Sequence, residues 1–245
     1  MTGDPRSELD PDAPTPLPEE VVQTPRHGFQ GNRAPAPERE PVPAALSVAV
    51  SREAGSRGSS IAKRAARKLG WQVYTQELLE YIAQQGNFRQ DLEEALSPAA
   101  LQWADQRLQT LLAQQSISQH PSIIELARII LGLGARGEVV LIGRGAGSIL
   151  PREAVLHVRI VAPLADRVAY MSQWLRLTAE AAAEQVRLRD GRRAEFVSGH
   201  FHRQAADVYH YDLVLNSGLL GEELCADLIV QAARAKQAAR LSRQP

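Results

Sequence analysis

The chain has 245 residues, 44% hydrophobic and 23% charged, which is typical of a globular protein with one well-filled core. Its 28 basic and 28 acidic residues balance, so there is neither a basic field for nucleic acid nor an acidic excess. The single cysteine, Cys225, excludes an internal disulfide, and no apolar stretch approaches the roughly 20 residues that span a bilayer. We therefore expect a cytoplasmic protein that binds neither nucleic acid nor membranes.

The first 43 residues form a segment rich in proline. Ten of the fifteen prolines fall there, among acidic residues and threonines and with almost no aromatics. Such a composition buries too little apolar surface to offset chain entropy. The pattern predicts a disordered tail over residues 1–43, with a docking peptide as the less favoured alternative, and an ordered domain over 44–241.

The ordered part opens with a strand, a small-residue loop and a helix. Residues 45–50 form a short apolar run rich in β-branched side chains, which predicts a buried strand. The loop of residues 51–60 is small and polar. Apolar residues then recur at helical spacing from Ile61 to Leu69, and Gly70 is a typical helix stop.

Further strands and helices alternate along the rest of the chain. Short apolar runs predict four more strands, at residues 71–74, 138–142, 155–161 and 211–216. Helical patterns cover residues 76–85, 91–134, 163–174, 178–193 and 222–241. Within the second of these patterns, Pro98 and Pro121 each suit the first position of a new helix. The alternation predicts an α/β three-layer sandwich with a mostly parallel five-stranded sheet.

Ligands of parallel sheets bind at the carboxyl ends of the strands, which selects the loop of residues 51–60 as a candidate site. Small residues there can turn backbone amides toward an anion at the positive end of the helix dipole. The candidates are Ser51, Gly55, Ser56, Gly58, Ser59 and Ser60, with Ser59 or Ser60 also able to place a hydroxyl near a metal-bound phosphate. A simple tight turn is the alternative.

A lysine is missing from this loop. The P-loop pattern requires Gly-Lys-Ser or Gly-Lys-Thr at its end, yet no lysine lies between Ser47 and Lys63. Arg52 and Arg57 are the cations that could replace it, because a guanidinium fork can hold two phosphate oxygens. The alternative for each is a solvated loop arginine.

Two further clusters of arginine and glycine follow predicted elements. Arg144 comes directly after the third strand, between Gly143 and Gly145, which would let a ligand approach the backbone. Later in the chain, charged residues gather on a polar helix: Arg187, Arg189, Asp190, Arg192 and Arg193. Such a cluster either coats a solvated face or neutralises a phosphoryl group during transfer.

With these segments identified, the sequence resembles the cytidylate kinase-like family over residues 46–233. The matching stretches include VSREAGSRG at 50–58, IGRGA at 142–146, LHVRIVAPL at 156–164 followed by Arg167, and YDLVLN at 211–216. The resemblance implies a P-loop kinase core with a helical acceptor-binding insert at about 76–134 and a lid at about 176–205. It also implies transfer of the γ-phosphoryl group of ATP, with Mg²⁺, to a nucleoside monophosphate such as CMP or dCMP.

The resemblance also implies roles for individual residues. Residues 51–60 would hold the ATP phosphates and Arg144 the phosphate of the acceptor. Arg189, Arg192 and Arg193 would contact the transferred group from the lid, with Asp190 orienting one of them. Catalysis would require Arg52 or Arg57 to replace the lysine.

The sequence departs from true cytidylate kinases at three positions. Gly58 stands where those enzymes have the lysine, Ile142 replaces an acidic residue before the Gly-Arg pair, and Thr75 replaces an aspartate common among relatives. These departures leave two other hypotheses open, a non-catalytic nucleotide sensor or adaptor and a kinase for another small acceptor. The long helical stretch at 91–134 could also pack on itself in a homodimer.

Overall fold

A computed structural model describes residues 43, 45–84, 90 and 94–242, all within the compact unit Ala36–Pro245. The predicted tail at residues 1–43 lies outside the described residues, apart from Pro43. In the described part of the chain, no helix is both long and apolar enough to cross a membrane.

Five strands form one parallel sheet. They are β1 (Ser47–Arg52), β2 (Gln72–Tyr74), β3 (Val139–Ile142), β4 (Val155–Val161) and β5 (Leu213–Asn216). Their order is β2-β3-β1-β4-β5, and every neighbouring pair is parallel. The near-continuous apolar runs of the sequence are those of strands covered on both faces. The prediction of a five-stranded α/β fold is confirmed, and the carboxyl ends of all five strands meet at one edge.

Helices connect the strands. They are α1 (Gly58–Leu69), α2 (Gln76–Gln84), α3 (Pro98–Ala113), α4 (Pro121–Arg136), α5 (Ala146–Ile149), α6 (Leu164–Leu175), α7 (Ala179–Phe201) and α8 (Ser217–Leu241). Pro98 and Pro121 each open a helix as predicted, because the missing proline amide is an orphan donor there in any case. The hydroxyl of Thr178 caps α7 by accepting a hydrogen bond from the Ala181 amide.

The core lies between the sheet and its helices. Val48 and Val50 of β1 pack with Ile61 of α1 and with Cys225 and Ile229 of α8, and all five are at most 2% exposed. On the opposite face of the sheet, α5 packs against β1 and β4. Because successive strand residues point to opposite faces, β1 is buried on both sides over residues 47–50.

Two helices differ from the predicted bounds. α7 continues beyond the predicted end at 193 to Phe201, whose ring is 1% exposed and so anchors the extra turns. α8 begins at Ser217, before the predicted start at 222, since the Asn216 side chain accepts hydrogen bonds from the Gly218 and Leu219 amides. The helix is interrupted at Gly221, which has φ 74 and ψ 170.

A buried histidine links β1, β4 and the segment before β5. Nδ1 of His157 contacts the His210 carbonyl at 2.9 Å, and its Nε2 lies 3.3 Å from the Ser51 hydroxyl. A carbonyl only accepts, so Nδ1 carries the proton and Nε2 accepts from Ser51. Burial lowers the pKa of His157 to about 4.

The His157 imidazole makes folding stability depend on pH. Because its pKa is lowered in the folded state, stability is complete above 6.5 and is lost as the pH falls from 6.5 toward about 4. We expect this group to remove about 3 kcal/mol of unfolding free energy across that range. Urea unfolding between pH 7 and 4 measures this loss, and His157→Asn should give a shallower pH dependence. Equal slopes in the two proteins would contradict the assignment.

Candidate active site

The loop between β1 and α1 has the backbone of an anion site. Arg57, the residue before α1, is left-handed with φ 58, a conformation uncommon outside glycine. The first amides of α1, at Gly58, Ser59 and Ser60, have no carbonyl within the helix to bind and stand at its positive end. The loop can therefore bind an oligophosphate through its main chain.

Gly55 lets this loop rest directly on α6. A Cβ at Gly55 would lie 2.5 Å from the carbonyl oxygen of Arg167, and its φ of 78 also favours glycine. The Ser56 hydroxyl donates to the Glu53 carbonyl at 2.9 Å and so closes the turn. Packing on the first turn of α6 thus sets the shape of the loop.

Arg52 occupies the space beside Gly58, the position at which the P-loop pattern has its lysine. A Cβ at Gly58 would lie 2.6 Å from the Arg52 Cβ and 3.3 Å from its Cγ. The Arg52 Nε donates to the Ser59 hydroxyl at 3.1 Å, so the guanidinium lies along the start of α1. A long side chain cannot extend from both positions at once.

Arg52 belongs to a cluster of cations at the carboxyl edge of the sheet. A Cβ at Gly143 would lie 2.6 Å from Arg52 Nη1, and Arg193 Nη1 donates to the Arg52 carbonyl at 3.4 Å. Burial, followed by the charges of Arg193 and Arg144, lowers the pKa of Arg52 to about 9. The guanidinium is charged at neutral pH, and a polyanion bound beside it would relieve the repulsion.

Acidic residues of α2 face this cluster. Burial raises the pKa of Glu77, but hydrogen bonds from its own amide and from Thr75, with the charges of Arg52 and Arg144, outweigh burial and lower it overall. One turn later, Glu80 forms an ion pair with Arg144. The Arg144 guanidinium also lies 4.6 Å from the centre of the Phe196 ring of α7.

Arg57 lies apart from Arg52, on the other side of the loop. Its guanidinium is 3.8 Å from the Glu222 carboxylate and 5.0 Å from the centre of the Tyr170 ring. It faces a cavity of about 350 Å³ at the carboxyl ends of β4 and β5. The cavity is lined by Gly55, Arg57, Ala162, Asp166, Ala169, Tyr170, Gln173, Ser217, Gly218 and Gly221.

The charged residues of α7 lie in different surroundings. Asp190 accepts a hydrogen bond from the Ala54 amide at 2.7 Å, so α7 contacts the loop of residues 51–60 directly. The Arg189 guanidinium lies 5.9 Å from the centre of the Trp174 ring. Arg192 is half-buried. The side chain of Arg187 is 67% exposed and pairs with Glu184, so it lies on the solvated face.

Taken together, the described geometry brings Arg52, Arg144 and Arg193 to one edge of the sheet, beside the start of α1. The cytidylate kinase-like family matches residues 47–219, most of the chain. The chain belongs to the cytidylate kinase-like family.

Three solved structures are similar to this family member. An uncharacterized protein from Eubacterium ventriosum ATCC 27560 aligns at a TM-score of 0.59 and 18% identity, over 78% of this chain and 99% of that one. Shikimate kinase from Bacteroides thetaiotaomicron aligns at 0.42 and 11% identity, over 78% and 97%. TT1252 from Thermus thermophilus aligns at 0.44 and 16% identity, over 78% and 97%. The protein from Eubacterium ventriosum shares the fold of this chain.

Among curated proteins, a segment of this cytidylate kinase-like chain matches one named uronate isomerase from Corynebacterium glutamicum. The two are 35% identical over 104 residues, which is 42% of this chain. The matched region spans 20% of the length of that protein, so the match says nothing about shared activity.

Several site residues of this family member were not among those predicted from the sequence. Glu53, Glu77 and Arg167 are ordinary charged residues in polar stretches, and nothing local marks them. Tyr170 and Phe196 lie on helices where an aromatic side chain is more often part of a core. The family resemblance offered the one signal for Glu53, Glu77 and Arg167, because all three lie in stretches that match it.

Gly145 holds the third-strand loop against the end of α7. It is left-handed, with φ 69, and a Cβ there would overlap the ring of Phe201. We expect Gly145→Ala to lower the unfolding free energy by about 3 kcal/mol, combining the left-handed strain with overpacking. Gly191→Ala is the matched control, because its Cβ would meet nothing within 4 Å. This control should stabilise α7 by up to about 1 kcal/mol. Chemical denaturation measures both variants, and equal stability of the two would refute the role of Gly145 in holding the loop against Phe201.

Proposed function

We propose that this protein transfers the γ-phosphoryl group of ATP to a nucleoside monophosphate in the cytoplasm, with CMP or dCMP as the expected acceptor. Membership of the cytidylate kinase-like family and the parallel sheet support kinase-like nucleotide chemistry. We propose ATP as the donor, CMP or dCMP as the acceptor, and a homodimer formed through the helical insert.

The single observation that carries the proposal is that the Arg52 side chain fills the space that a side chain at position 58 would need. A P-loop kinase needs a cation at the β and γ phosphates, at the start of the helix. Here the Arg52 side chain lies in the space next to position 58, beside the outward-facing amides of α1. A guanidinium supplies two donors to phosphate oxygens where an ammonium supplies a point charge. Arg52 would therefore take over the role of the missing lysine.

The surrounding residues divide between donor and acceptor. The cavity beside Arg57 and Tyr170 has room and an aromatic face for the base of the donor. Arg144, at the end of β3, would release its ion pair with Glu80 and bind the acceptor phosphate instead. Arg193 reaches the loop from α7 and would neutralise charge on the transferred group.

The donor would enter as its magnesium complex. Among the described residues, no group of three or more histidine, cysteine, aspartate or glutamate side chains could hold a metal ion. The Ser60 hydroxyl lies 2.5 Å from Glu222, and magnesium carried by ATP prefers such oxygen ligands. The Ser59 hydroxyl is less suited to the metal because it accepts a hydrogen bond from Arg52 Nε. Ser60→Ala should raise the magnesium concentration needed for half-maximal rate.

A coupled assay that measures ADP production tests the proposal. The full chain, MgATP and a panel of nucleoside monophosphates should give turnover above the acceptor-free rate, highest with CMP or dCMP. Hydroxylated acids and sugars belong in the same panel. Inert behaviour with every nucleotide acceptor would overturn the nucleotide assignment.

One observation favours a second acceptor class. A nucleoside monophosphate attacks through an anionic phosphate oxygen and needs no base, whereas a hydroxyl must lose its proton during attack. Glu77 places a carboxylate beside Arg52 and Arg144, where it could take that proton. If the protein phosphorylates an alcohol and Glu77→Gln abolishes that turnover, the protein is a kinase for another small acceptor.

Another observation favours a non-catalytic nucleotide sensor or adaptor on the same fold. Ile142, which replaces an acidic residue, is fully buried and brings no oxygen to the site. Titration calorimetry that detects ATP binding, together with no ADP production from any acceptor, would support this function over a kinase.

A further inference from the structure

The loop of residues 51–60 is the proposed phosphate-binding loop. Four charged side chains join it to its surroundings, and we call them the charge clamp: Glu53, Arg159, Arg167 and Asp190. Arg167 lies at the centre, with its side chain 11% exposed. Its Nη1 donates to Asp190 at 2.5 Å and to the Ala54 carbonyl at 3.3 Å. Its Nε donates to the Ala162 carbonyl at 3.0 Å and lies 3.4 Å from Glu53. The clamp therefore connects the loop, β4, α6 and α7.

Asp190 is the contribution of α7 to this clamp. One carboxylate oxygen accepts from the Ala54 amide at 2.7 Å and the other from Arg167. Arg193 lies one turn further along α7 and donates to the Arg52 carbonyl. Any shift of Asp190 relative to the loop would move the arginines of α7 by a similar distance.

We propose that Arg167 is a positioning residue that sets the register between the phosphate-binding loop and the arginine-bearing face of α7. Its effect on catalysis rests on the proposed kinase function, whereas its coupling of loop and helix does not. Misplacing groups by about 1 Å can slow a reaction about 10²-fold. Donor binding through the loop amides and the cavity would largely persist without Arg167.

Steady-state kinetics of Arg167→Gln, Asp190→Asn and the double variant test this role. Each single change should lower kcat about 100-fold with donor KM within about threefold, and the double change should lose little more, because both break one unit. Arg167→Lys, which keeps the charge and one donor, should recover part of the rate. Arg187→Gln is the control, an exposed arginine on the same helix. Additive losses, or a loss confined to KM, would overturn the proposal.

Amide hydrogen exchange separates this inference from the proposed function. In Arg167→Gln, the Ala54 amide and the amides of residues 189–193 should exchange about tenfold faster together. A protein that turns over no acceptor would refute the kinase, and the exchange result would still decide the clamp. Faster exchange at Ala54 with no change in α7 would overturn the coupling.

Discussion

Replacing Arg52 with alanine is expected to lower kcat/KM for phosphoryl transfer by about 10³-fold or more, while the protein remains folded. Arginines that stabilise charge on a transferring phosphoryl group contribute effects of about that size. Arg52 is the cation beside position 58, and the hydrogen bond from its Nε to the Ser59 hydroxyl holds its guanidinium along the start of α1. Removing its charge also relieves repulsion with Arg193, so the loss of stability should be small.

Kinetics and thermal unfolding measured on the same preparations decide this prediction. Arg67→Ala, which removes an exposed arginine from α1, is the matched control and should leave both quantities unchanged. Arg57→Ala should chiefly raise KM for ATP, because Arg57 faces the cavity. Turnover by Arg52→Ala at the parental rate would show that Arg52 does not replace the lysine.

Restoring lysine at position 58 by itself is expected to damage the protein. A Cβ there would lie 2.6 Å from the Arg52 Cβ, so Gly58→Lys forces two long side chains into one space. Overpacking of this kind lowers the unfolding free energy by about 1–3 kcal/mol. Displacement of the Arg52 guanidinium should also remove most of the turnover.

Adding Arg52→Gly to Gly58→Lys should reverse much of this loss. The smaller residue clears the space, and the lysine then supplies a cation at the usual P-loop position. Chemical denaturation and the coupled assay should both place the double variant above Gly58→Lys. Gly199→Lys is the control, because a Cβ at Gly199 would meet nothing within 4 Å. If the Gly58→Lys protein were as stable and active as the parent, Arg52 would not fill the space that a lysine at position 58 needs.

Local patterns in the sequence were sufficient for the architecture and for part of the site. Apolar runs marked all five strands, and Pro98 and Pro121 marked two helix starts, because these signals depend on hydrogen bonding and burial over a few residues. The order of strand, small-residue loop and helix also marked the loop of residues 51–60 between β1 and α1. Parallel strands end at one edge, which correctly put Arg144 in the same region as that loop.

The partners of the site residues were decided only by the tertiary structure. Arg52 and Arg57 looked equivalent as substitutes for the lysine, yet Arg52 lies against Ser59 whereas Arg57 lines the cavity and faces Glu222. Arg167 and Asp190 come from different helices and meet because both contact Ala54 in the loop of residues 51–60. α7 extends to Phe201 because its ring is buried against Gly145. Such contacts depend on how distant elements pack, and short-range periodicity carries no record of that packing.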